Sequence, residues 1–250
     1  MPGGNIPAPN DSLKFKTPKT ASRLKKRSSR LWGIIHVSSG NASIYFAEQS
    51  LTYLRFLGHY KPQGLKFTEA DKGNLQQYID SRSTIPLGTQ ARWFLQASEA
   101  IEYIHSKGVL HLDLRPENFL LYSQPNGETD LVLCDFGGSK YGDMYGGNLP
   151  DAGFYNPGLF HGEPSEAIDI FSLGSIFYNI CSGHRPHQTR EEDFLSYCRR
   201  VDNLFEREEF PPVDDLFAGS IIMKCWAGEY TTACLLLEDC RRLYTRSTMQ

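Results

Sequence analysis

The sequence predicts an α+β protein in which helices outweigh strands, and three observations carry that expectation. Residues Thr89 to Gly108 have helical spacing, with an apolar stripe at Phe94, Ala97, Ile101 and Ile104. Two short apolar runs, Phe119-Leu120-Leu121 and Leu131-Val132-Leu133, flank the turn signal Pro125-Asn126-Gly127 and predict a β-hairpin. The run Asp169 to Tyr178 is apolar almost all round, as a helix enclosed by protein should be.

Taken in chain order, residues 1–30 hold eight Lys and Arg against Asp11 alone. That local balance of +7 leaves −10 for the remainder of a chain whose net charge is −3. With Pro2, Pro7, Pro9 and Pro18 and no apolar period, this stretch is expected to be a disordered basic tail. It reads either as a nuclear-localisation or anionic-surface segment or as solvated chain. Basic residues without aromatic interleaving, ahead of an acidic remainder, do not indicate nucleic acid as a partner. Residues Leu65 to Leu75 read as a strand running into a turn. Thr89 is the expected N-cap of the long helix and Gly108 its stop. Ser182-Gly183 ends the apolar helix, and the run from Lys224-Cys225-Trp226 to Leu243 closes the chain with further helices.

At 40% hydrophobic and 22% charged, the composition is that of globular material with ample core. No apolar run approaches the roughly 18 residues that a membrane span requires. Residues 1–30 lack the apolar centre of a signal peptide, so the expected location is intracellular, cytoplasmic or nuclear. Six cysteines show no C-x-x-C pair and no His at zinc-finger spacing, which fits reduced thiols. Cys134, directly before Asp135, reads first as a small buried hydrophobe, with a thiol facing the site described next as the alternative.

The segment His111-Leu112-Asp113-Leu114-Arg115-Pro116-Glu117-Asn118, followed by Asp135-Phe136-Gly137, resembles the catalytic loop and metal-binding segment of eukaryotic protein kinases. The resemblance implies a two-lobe fold with a mainly helical large lobe and a β-rich small lobe. It makes Asp113 the catalytic base for a substrate hydroxyl, with Arg115 beside it in the catalytic set. It makes Asn118 and Asp135 the ligands of Mg²⁺ and contacts of ATP. An amide oxygen and a carboxylate, completed by phosphate oxygens, suit a hard octahedral cation. By the same resemblance Phe67 is the gatekeeper, Thr68 to Ala70 form the adenine-binding hinge with Thr68 and Ala70 as ATP contacts, and His111, Phe136 and Asp169 are structural. Asp169 is expected to anchor the backbone of the catalytic loop, since a buried carboxylate must be hydrogen-bonded.

The resemblance covers residues 44–245, and it divides the chain into the tail 1–30, a partial small lobe and hinge 31–70, and a large lobe 71–250. A small lobe of five strands and a helix needs on the order of 55–60 residues. Residues 31–67 supply 37, so one or two strands are expected to be missing. No G-x-G-x-x-G occurs, and no Lys lies between positions 27 and 60, where the family's phosphate-gripping lysine should fall; Glu48 therefore lacks the partner of a helix-C glutamate. Leu112 replaces the Arg of H-R-D, and Gly158 replaces the Glu of A-P-E, which removes that segment's ion pair. Arg115 stands where Ser/Thr kinases usually carry Lys. The implied function is transfer of the ATP γ-phosphate to a protein hydroxyl, Ser/Thr ahead of Tyr. The alternative is a pseudokinase acting as a binding scaffold, and a small-molecule phosphotransferase stands third.

Overall fold

A helix with almost no exposed residue lies at the centre of the fold. The computed structural model describes residues 32–38, 41–47, 56–60, 64–67, 69–82, 84–147, 150–189 and 192–249. Four strands come first, β1 (Trp32–Ser38), β2 (Asn41–Ala47), β3 (Phe56–Tyr60) and β4 (Gly64–Phe67). They pair as two separate antiparallel hairpins, β1 with β2 and β3 with β4. The tail and Glu48 lie outside the described residues.

Helix α1 (Leu75–Asp80) follows, opened by a capping box in which Asn74 and Gln77 satisfy each other's backbone N–H groups. Helix α2 (Leu87–Ser106) begins two residues before the expected Thr89 cap. Its N-cap is Pro86, whose carbonyl accepts the Gln90 N–H at 3.0 Å. A proline there forfeits no hydrogen bond, because the first N–H groups of a helix have no partner within it. Thr89 falls inside the first turn. Gly108, at φ +74°, follows the C-cap Lys107 in a conformation that only glycine adopts freely.

Strands β5 (Val109–Leu110), β6 (Phe119–Ser123) and β7 (Thr129–Leu133) come next, followed by β8 (Lys140–Tyr141) and β9 (Met144–Tyr145). β6 and β7 form the hairpin in the register Phe119 to Leu133 through Ser123 to Thr129, closed around Gly127 at φ +85°. β8 lies between β5 and β9. Helices α3 (Glu166–Ser182), α4 (Phe194–Glu206), α5 (Gly219–Trp226) and α6 (Ala233–Thr248) complete the fold.

Every residue of α3 from Ile168 to Ile180 is buried, which accounts for its lack of a polar face. Gly174 sets how close α5 can come: a Cβ there would lie 2.6 Å from that of Cys225. Trp226 of α5 then donates its indole N–H to Ser175 at 2.9 Å. Phe94 of α2 packs against Phe177 of α3 with the rings tilted and their centroids 4.3 Å apart, and truncating such a buried ring costs about 3–5 kcal/mol. Gln96 ties α2 to the hairpin, donating to Asp130 at 2.6 Å and accepting the Leu131 N–H at 2.9 Å. The core thus holds the β6–β7 hairpin against α2, and the segment that ends at Asn118 and the one that begins at Asp135 meet that hairpin at one end.

Candidate active site

The loop from His111 to Asn118 joins β5 to β6, and the segment Cys134-Asp135-Phe136 leaves the end of β7. Because Phe119 pairs with Leu133, residues 118 and 134 leave the hairpin side by side, and the Cys134 N–H donates to the Asn118 carbonyl at 2.9 Å. The hairpin thereby brings Asn118 and Asp135 to the same end of the sheet.

Asp113 is buried, with its carboxylate facing Arg115 Nε at 3.8 Å. Asn118 Nδ2 donates to the Asp113 backbone carbonyl at 2.7 Å and reaches its carboxylate at 3.4 Å. This orientation leaves Oδ1 as the atom of Asn118 that a hard cation would take. Burial pushes the Asp113 carboxyl up to about 6; Arg115 opposes the rise, while the Asp135 and Asp151 charges add to it. Such a group is poised to exchange a proton near neutral pH.

His111 is fully buried and holds the two segments together. Its Nδ1 accepts the Asp113 N–H at 3.4 Å and its Nε2 meets the Cys134 carbonyl at 3.1 Å. That pattern assigns the neutral Nε2–H tautomer, in keeping with burial that drives the imidazole pKa down. The Phe136 ring packs on His111 at 5.0 Å.

Asp169, at the first turn of α3, reaches the other side of the loop. Its Oδ2 accepts the His111 N–H and its Oδ1 the Leu112 N–H, each at 2.8 Å, while His105 Nε2 lies 2.8 Å from Oδ2. Burial would raise the carboxyl, but the hydrogen bond and charge of His105, with His111 and the Leu112 N–H, hold it below its ordinary range. The bonds from Asp169 support an unusual backbone: Leu112, wholly buried, sits at φ +62°. Asp135 sits at φ +58° with its Oδ1 accepting the Gly137 N–H at 3.2 Å. Strained non-glycine residues cost about 1–3 kcal/mol each, persist only where surroundings enforce them, and cluster at functional sites.

At the hinge, Phe67 is half-buried at the end of β4 and Ala70 half-buried in the following loop; Thr68 lies outside the described residues. The loop after them pairs with β6, since Lys72 donates to the Leu121 carbonyl at 3.2 Å and Leu121 to the Gly73 carbonyl at 2.9 Å. Cys134 is half-buried; its thiol donates to the Asn118 carbonyl at 3.2 Å, and burial with the Asp135 charge pushes it up to about 12. A rise of this kind disfavours the thiolate, the form of cysteine that acts as a nucleophile.

Sequence reasoning missed three charged residues here. Asp151 accepts from Arg115 at 3.1 Å, and Arg185 reaches Glu117 at 3.3 Å and Asp151 at 3.5 Å. The signal for two of the partners was the alternation of charge at Asp113, Arg115 and Glu117 within one short loop. Nothing in the sequence pointed to Asp151.

This hairpin, loop and buried anchor define a protein-kinase class of site. The sequence model of the family described as "Protein kinase domain" matches residues 53–245, and the chain belongs to that family. It is 28% identical over 166 residues to the dual serine/threonine and tyrosine protein kinase of Gallus gallus, covering 64% of this chain and 17% of the relative. It is 38% identical over 115 residues to the calcium/calmodulin-dependent protein kinase type 1B of Rattus norvegicus, covering 44% of this chain and 33% of the relative. The match thus spans a third or less of the length of either relative.

Proposed function

We propose that this chain transfers the ATP γ-phosphate to a hydroxyl of a protein substrate, Ser/Thr ahead of Tyr, with Asp113 as the base that accepts the hydroxyl proton. The observation that carries this reading is the buried Asp113 carboxyl, raised to about 6 and oriented by Asn118 at the end of the hairpin that also delivers Asp135. Asn118 and Asp135 supply one amide oxygen and one carboxylate, a donor set that fits Mg²⁺. Among the described residues no group of three or more His, Cys, Asp or Glu side chains is placed to hold a metal ion by itself, so the remaining ligands would be phosphate oxygens and water. When bound, Mg²⁺ neutralises charge on the phosphates. Arg115, against Asp113 and Asp151, balances the negative charge around the base.

In this reading residues 31–70 act as the small lobe and hinge, Phe67 and Ala70 line the adenine side, and the partners are ATP and a protein substrate. No described helix is long and apolar enough to cross a membrane. The preference for Ser/Thr draws on the printed name of the calcium/calmodulin-dependent relative; the other relative's name includes tyrosine. Phospho-amino-acid analysis after incubation with Mg-ATP and mixed Ser-, Thr- and Tyr-containing peptides tests it. Phosphoserine and phosphothreonine are expected, and phosphotyrosine alone would reverse the preference.

A second reading, a pseudokinase scaffold, is favoured by one specific feature. Positions 28–60 contain no lysine and the chain no G-x-G-x-x-G, so two of the family's phosphate contacts lack their residues. Mg-ATP binding without transfer to any hydroxyl would select it.

A further inference from the structure

We infer that Arg185 is a positioning residue that clamps the end of the segment 136–160 to the catalytic loop, doing so without any phosphorylated residue. The inference rests on the proposed kinase reading only for its consequence in catalysis; the clamp itself is a matter of geometry.

Arg185 follows the C-cap of α3, two residues beyond Gly183, and its guanidinium is largely buried. Nη2 lies 3.3 Å from Glu117 of the catalytic loop and Nη1 3.5 Å from Asp151 of the segment. The guanidinium also lies over the Phe154 ring at 5.2 Å, three residues beyond Asp151. A guanidinium that spans two carboxylates and a ring face is held in one place, which a flexible ammonium would not be.

The chain of charges closes on the catalytic base. Asp113 faces Arg115, Arg115 pairs with Asp151, Asp151 faces Arg185, and Arg185 pairs with Glu117. Signs alternate throughout, with both ends on the catalytic loop and the middle carboxylate on the segment. Fixing Asp151 therefore fixes Arg115 beside Asp113.

Independent packing brings the segment to the same place. Gly153, at φ +88°, lies so close to α4 that a Cβ there would come within 2.2 Å of the Tyr197 hydroxyl oxygen, and that hydroxyl donates to the Pro186 carbonyl at 3.1 Å. The residue next to Arg185 is thus tied to the same stretch of segment. Leu112 and Gly158 stand where the resemblance would put an Arg and a Glu that hold this segment, and Arg185 performs that task from another position.

Hydrogen–deuterium exchange on the full chain tests the clamp, using Arg185→Gln, Arg185→Lys and Asp151→Asn, with peptide phosphorylation measured in parallel. In Arg185→Gln and Asp151→Asn the amides of 146–160 should exchange roughly five- to thirtyfold faster, the change expected when one structural contact is lost from a local opening equilibrium. Amides of α6 should be unchanged, Arg185→Lys should recover part of the protection, and the double variant should exceed neither single one. Where transfer is measurable, KM for the peptide should rise while KM for ATP holds. Unchanged exchange in 146–160, or an equal rise throughout residues 71–249, would overturn the clamp. Absence of transfer in the wild type would count against the kinase reading and leave the exchange result to decide the clamp.

Discussion

Asp169 holds Leu112 in a left-handed conformation: a fully buried carboxylate accepts the N–H of a fully buried leucine at 2.8 Å, and the same carboxylate accepts the neighbouring His111 N–H. The loop that carries Asp113 is thereby shaped by a residue on a different element. Asp169→Ala would leave two buried N–H groups and His105 without their acceptor, at a cost of about 3–5 kcal/mol. The carboxyl is held below its ordinary 3.8, so the stabilisation is present above that value and disappears as pH falls through the lowered pKa. Denaturant titrations of wild type and variant should show the difference narrowing in acid, as Asp169 takes up a proton, and also as pH rises through the raised His105 pKa and that imidazolium loses its charge.

Asp135 bears on nucleotide binding independently of catalysis. Its carboxylate is aimed by the turn at Gly137, and Asp135→Asn keeps that Oδ1 acceptor while removing the charge. Thermal shift with Mg-ATP should be large for wild type and much reduced for the variant, with little change in the melting temperature of the two apoproteins. Equal Mg-ATP shifts would remove Asp135 from the metal site.

Arg115 should set the acid limb of activity. The Asp113 carboxyl stands at about 6, and the Arg115 charge keeps it from rising further. A base must be ionised, so activity should rise as pH increases through about 6. Arg115→Gln removes the opposing charge and should move that limb to higher pH. A pH profile of kcat/KM that stays in place, or moves down, would show that Asp113 is not the group being titrated.

Activity should also be indifferent to phosphorylation of the segment. Leu112 offers no guanidinium at the position where the resemblance would place one, and Asp151 with Arg185 already supplies a charge contact. Phosphatase treatment should leave the rate unchanged. A loss of activity would point to a phosphorylated residue near another cation, such as Lys140, which here pairs with Glu163 at 2.8 Å.

Much of the fold was legible because hydrophobic spacing reports local elements directly. The α2 stripe at Phe94, Ala97, Ile101 and Ile104 is buried, as are the stretch of α3 from Ile168 to Ile180 and, apart from half-buried Leu120, the β6–β7 runs. The start of α2 was misplaced because Thr89 has the chemistry of a cap while Pro86 has its position, and a proline cap gives no side-chain signal. Within the site, contiguous motifs exposed Asp113, Asn118 and Asp135. Asp151 and Arg185 stayed hidden because their partners are distant in sequence, and only the folded segment brings them together.

The most direct measurement compares phosphoryl transfer by wild type and Asp113→Asn, with Mg-ATP binding measured on the same samples. Asn preserves the side-chain shape and its contact with Asn118 but cannot accept the substrate proton. The account predicts that Mg-ATP binding is retained while transfer falls by roughly 10²–10⁴-fold, the usual contribution of a positioned general base. Transfer at an undiminished rate in Asp113→Asn would contradict it.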